Sequence, residues 1–108
     1  MKFKLMKQRI KRGYHDEDVW ALNSYFLEVF IPALKQLKET KHGVPMRYCI
    51  DRDVDEGDEL WQKDMDEMIG HFEQIDLNTT DKEVSKQNEY HIKEGFKMFA
   101  EQFEELWD

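Results

Sequence analysis

Cysteine occurs once in these 108 residues, at Cys49, so no disulfide can form within the chain. A lone thiol fits a reducing, cytoplasmic setting, where a small domain is held together by its apolar core. Proline occurs twice and glycine five times, too sparsely for a collagenous or low-complexity chain. Long apolar runs are missing. The nearest, "YFLEVFIPAL", is interrupted by Glu28 and Pro32 and falls well short of the ~20 residues that span a bilayer. The basic start lacks the apolar segment that follows it in a secretory signal, and a membrane is not expected among the partners. Net positive charge is missing too: 16 basic residues stand against 24 acidic ones, a formal −8. Residues 1–12, "MKFKLMKQRIKR", hold six of the bases and no acid, leaving 10 bases against 24 acids, a formal −14, over residues 13–108. Such a body repels nucleic acid and suits a basic partner surface, whereas the first twelve residues do the reverse.

What is present is apolar residue at helical spacing. Hydrophobic residues make up 40% and aromatic residues 13%, too much for a disordered chain. From about Asp16 to Glu39 the row Val19, Trp20, Asn23, Phe26, Leu27, Phe30, Leu34 and Leu37 advances by threes and fours, polar only at Asn23. Asp16 is expected to cap this helix, Pro32 to bend it, and "KHGVP" to end it. A second row, Trp61, Met65, Met68, Ile69, Phe72 and Ile75, lies on a helix from about Asp58 to Asp76. A third begins at a capping box of Thr80 and Glu83 and runs through Val84, Asn88, Ile92, Phe96, Phe99, Phe103 and Leu106. The β-favouring cluster "RYCI" is short and alone. At the start, Phe3, Met6 and Ile10 suit a short helix ended by Gly13, whereas Phe3 and Leu5 suit an extended segment; the helix is preferred.

The expected fold is therefore all-α: a compact bundle of three long helices, each with one tryptophan (Trp20, Trp61, Trp107), behind a short basic N-terminal arm or helix. Residues 1–13 form the arm and residues 14–108 a single helical domain.

Chemical motifs are scarce. The stretch "DRDVDEGDELW" places Asp51, Asp53 and Asp55 like the first ligands of a calcium loop. That loop needs glycine at its sixth position and glutamate at its twelfth; here these are Glu56 and Gln62, so the acids read as a solvated helix start. The four histidines, at 15, 42, 71 and 91, have no zinc-motif spacing, and Glu67 four residues before His71 reads as a surface contact. No phosphate loop, nucleophile elbow or His-Glu-x-x-His occurs, so no enzyme, metal or cofactor is expected. The candidate anion- or partner-binding residues are Lys2, Lys4, Lys7, Arg9, Lys11 and Arg12, either free to meet phosphate or folded against acidic residues of the same or a neighbouring chain. Tyr14, Trp20, Tyr25 and Trp107 are the candidate aromatic interface or pocket residues.

Taken in order, "RGYHDEDVWALNSYFLEVFIPALKQLK", "KHGVP", "LWQKDMDEMIGHFE" and "FKMFAEQFEELWD" resemble a family of small uncharacterised phage and prophage proteins. That family has a Gly-Tyr-Ser-Asp-x-Asp-x-Trp-Asn opening, a His-Gly-x-Pro turn, a tryptophan-led middle helix and a Leu-Trp-Asp end. His15 stands here in place of the family's serine, Ala21 in place of asparagine and Asn23 in place of an aspartate. The resemblance implies a phage genome and a bacterial host cytoplasm, and brings no activity with it. Three functions follow as expectations: a non-enzymatic accessory protein that binds a host or phage protein, an oligomer that sequesters a small molecule such as a nucleotide, or a nucleic-acid binder acting through residues 1–12.

Overall fold

Trp61, Met65, Met68, Ile69 and Phe72 are the most deeply buried apolar run in the chain, and their spacing makes one face of a 20-residue helix. In the computed structural model, which describes residues 2–108, this is helix α4, Val54–Glu73. It is preceded by α1 (Phe3–Arg12), α2 (Asp16–Trp20) and α3 (Leu22–Thr40), and followed by α5 (Lys82–Gln102). Two 3₁₀ turns, Met46–Cys49 and Phe103–Glu105, complete the architecture, and no strand occurs among the described residues. The all-α expectation holds; among the described residues there are five helices, four of them ten residues or longer, where three long helices behind a short basic arm or helix were expected. The chain forms two compact units whose boundary falls inside α3, between Phe30 and Ile31.

In the first unit, the basic arm is a helix. It stops at Gly13, whose φ of +86° is the left-handed conformation that closes the last turn through a bond to the Arg9 carbonyl. Its last-turn bases, Arg9, Lys11 and Arg12, suit the partial negative charge at a helix C-terminus. The expected Asp16 cap is displaced by one residue. His15 is the cap: its Nδ1 accepts from the Asp18 backbone N–H, while its own backbone N–H donates to Asp18 Oδ2 at 2.8 Å. A histidine thus fills the reciprocal box usually made by serine or threonine.

The expected 24-residue rod is also corrected. Ala21 leaves helical geometry, with φ −130° and ψ 60°, and separates the five-residue α2 from α3. Val19 and Trp20, expected on the buried stripe, are 55% and 78% exposed.

In the second unit, Leu34 is buried on the last part of α3, and "RYCI" contributes to a 3₁₀ turn instead of a strand. Asp53 then caps α4, accepting from the Glu56 N–H at 2.8 Å, so α4 starts earlier than the expected Asp58. From Asp53 on, the acidic stretch is therefore the cap and first turn of a helix, with Asp55 and Glu56 beside the partial positive charge of its N-terminus. Helix α5 has Asp81 as its cap, accepting from Glu83 and Val84, where Thr80 was expected.

Helix α5 packs along α4, and Gly95 makes the approach possible: a Cβ there would lie 3.1 Å from the Phe72 ring. Phe72 meets Phe96 edge to face, with centroids 5.1 Å apart. Asn88, the polar member of the third row, accepts from the Asp76 N–H and donates to the Asp76 carbonyl, closing the connection between the two helices. Of the three tryptophans, Trp61 is 1% exposed, whereas Trp107 is 67% exposed.

Candidate functional site

The basic helix divides its charges between two jobs. On the face that carries buried Leu5, Arg9 makes a bidentate pair with Asp18, at 2.9 and 2.6 Å, and reaches Glu28 with both terminal nitrogens at 3.2 Å. Arg12 pairs with Asp16 at 2.7 Å and donates to the Tyr14 carbonyl, and the Gln8 amide both donates to and accepts from Asp16. Arg9 draws the Asp18 carboxyl down to about 2, assisted by the His15 N–H. Bidentate guanidinium–carboxylate geometry is stronger and more directional than a lysine contact. The arm is thus fastened by its arginines.

The other basic candidates stay outside. Lys2, Lys4, Lys7 and Lys11 are exposed and make no ion pair among the described residues; Lys7 lies 6.0 Å from the Phe3 ring centre. Between these lysines, Phe3, Met6 and Ile10 form an outward row, with Phe3 73% and Ile10 79% exposed. Val19, Trp20 and Leu22 add exposed apolar surface to the same unit.

The aromatic candidates belong to different units. Arg12 lies over the Tyr14 ring at 4.5 Å and Arg9 over the Tyr25 ring at 5.3 Å, while the Tyr25 hydroxyl donates to the Gly13 carbonyl. Trp107 belongs to the second unit. Lys41 sits 5.0 Å over its ring and donates to its carbonyl, and the His42 N–H donates to Asp108 Oδ1 at 2.7 Å. These contacts fold the chain end over the turn after α3 and border a cleft of about 630 Å³, lined by His42, Pro45, Met46, Glu104 and Trp107 among others.

A second cleft, about 320 Å³, lies along α4 and α5. At one end the buried Tyr48 hydroxyl donates to Asp64 Oδ2 at 2.6 Å and accepts from Gln102 Nε2 at 2.5 Å. Burial, with the Asp64 bond, pushes the Tyr48 phenol up to about 12. Farther along, His71 lines the cleft and its Nδ1 lies 3.0 Å from that of His91. These histidines are 20 residues apart and carry no spacing motif; only the hairpin register, which sets Asp76 beside Asn88 and Phe72 beside Phe96, places them in one layer. Both networks escape a linear reading, because each partner comes from a different helix or turn. No protein-family model, curated protein or solved structure matches this chain.

Proposed function

We propose that this chain is a phage-encoded accessory protein that acts without catalysis, by docking its first unit onto a host or phage protein in the bacterial cytoplasm. The observation that supports this reading is the outward row of α1. Phe3, Met6 and Ile10 stand exposed beside Lys4, Lys7 and Lys11, on a helix whose opposite face is already tied down by Arg9 and Arg12. An apolar row on an ordered helix loses little further conformational freedom when it is covered, and exposed apolar patches mark interaction surfaces. The lysine fringe selects an apolar groove bordered by acids, a helix-in-groove arrangement. Capture from host lysate at low and high salt tests it, with the double variant Phe3→Glu/Ile10→Glu as comparison. The wild type should retain a specific protein that the variant loses while keeping its helical content. Equal capture by both, or none by the wild type, refutes the reading.

A second reading rests on Tyr14 and Trp20, whose rings are exposed in the unit that carries the unpaired lysines. A stacking face beside ammonium groups suits a nucleotide. The cavity within that unit, about 470 Å³, is lined by Glu17, Asp18 and Glu28 as well as Lys2 and Arg9, a poor place for phosphate. On this reading copies of the chain associate through the apolar row and sequester the ligand between subunits. Native mass spectrometry of protein from infected cells should then show an oligomer with a co-purifying small mass. A bare monomer with no thermal shift from nucleotides removes this option.

A further inference from the structure

We propose that His71 and His91 form a two-imidazole site for a late first-row transition metal, copper(II) or nickel(II), between α4 and α5. Their Nδ1 atoms are 3.0 Å apart and their ring planes are tilted by 44°. With metal–nitrogen bonds of ~2.0–2.1 Å, that separation subtends roughly 90–97° at a metal, the angle between neighbouring ligands of a square-planar or octahedral ion. A tetrahedral ion needs nitrogens about 3.3 Å apart, so the pair fits copper or nickel better than structural zinc. The packing of the two helices brings the rings within reach of each other. Gly95 lets α5 approach until the His71 Cβ would be 3.3 Å from an added Cβ at that position, which holds His71 against the helix that bears His91.

Among the described residues, no three histidine, cysteine or carboxylate side chains already converge on one point. The two imidazoles therefore anchor the ion and water fills most other positions. Glu67, one turn before His71, and Glu94, one turn after His91, line the adjoining cleft and make it acidic. Asp64 and Glu101 add negative charge there against the single ammonium of Lys97. In the metal-free protein one Nδ1–H donates to the other Nδ1. On binding, that proton is exchanged through solvent to the same ring's Nε2, so both Nδ1 lone pairs face the ion and no net proton is released from two neutral imidazoles.

The test uses the untagged full chain, titrated with copper(II) and nickel(II) by calorimetry, with electron paramagnetic resonance of the copper form. Saturable binding with hyperfine splitting from two imidazole nitrogens is expected. His71→Gln and His91→Gln should each weaken binding at least about tenfold, as loss of one of two protein ligands implies, whereas His42→Gln should leave it unchanged. Circular dichroism establishes that the variants remain helical, and Glu67→Gln supplies a surface variant expected to weaken binding less than either histidine change. Binding that survives both histidine substitutions, or that follows His42 or the chain's amino terminus, overturns the proposal. So does the absence of saturable binding below millimolar metal.

Discussion

Replacing Gly57 and Gly70 in turn by alanine makes the same chemical change twice in one helix, with opposite expected signs. In a helix interior, alanine is favoured over glycine by about 0.8–1.0 kcal/mol, because glycine loses more backbone freedom on folding. Around Gly70 nothing lies within 4 Å of an added Cβ, so that gain is realised in full. Gly70→Ala should raise the stability of the second unit by about 1 kcal/mol and its Tm by about 4–8 °C. At Gly57 an added Cβ would sit 2.7 Å from the Tyr48 carbonyl oxygen and 2.8 Å from Cys49 Sγ. That carbonyl is held in the 3₁₀ turn and accepts from Arg52, so it cannot simply rotate aside. Overpacking of this kind costs about 1–3 kcal/mol or more, which outweighs the propensity gain and leaves Gly57→Ala less stable than wild type. Thermal and urea unfolding followed by circular dichroism at 222 nm measure both. A Gly57→Ala protein that melts at or above the wild-type temperature would refute the claimed contact between α4 and the turn.

Other outcomes follow from the polar networks. Tyr48→Phe strips Asp64 and Gln102 of a shared partner and should cost about 1–3 kcal/mol, read from urea midpoints. Because burial raises the Tyr48 phenol to about 12 in the folded state, its contribution is complete below about pH 10 and disappears as pH rises towards 12. Absorbance at 295 nm should accordingly show one phenolate appearing together with the loss of helix. Asp18 has the opposite sign: with its carboxyl lowered to about 2, its contribution is present above roughly pH 4 and lost as pH falls through 2. Asp18→Asn should flatten that acid limb in a series of melts, and an unchanged limb would count against the Arg9–Asp18 pair. Arg9→Met should release α1 from Asp18 and Glu28, seen as faster hydrogen exchange in residues 3–12 with α4 and α5 protected as before.

The regular spacing of Trp61, Met65, Met68, Ile69 and Phe72 was enough to place α4 and its buried face, because one long amphipathic row has a single way to be covered. Helix class, the reading of Asp51–Asp58 as a helix start, and the concentration of positive charge in residues 1–12 were equally legible, since each depends on local spacing or composition. Helix boundaries were less so. His15 and Asp81 took the capping positions expected of Asp16 and Thr80, because a cap is chosen by which side chain meets the free N–H groups after the chain has turned.

Tertiary structure alone decided the break at Ala21, the exposure of Trp20 and the close approach at Gly57. It also decided which bases are held by acids: Arg9 and Arg12, spaced to reach Asp18 and Asp16, are engaged, and the lysines interleaved with them are not. The meeting of His71 with His91 belongs to the same class. Periodicity reports which face of a helix avoids water, whereas a distance between two helices depends on register and on how far their backbones can approach. In this chain that approach depends on the hydrogen atom that Gly95 has in place of a side chain.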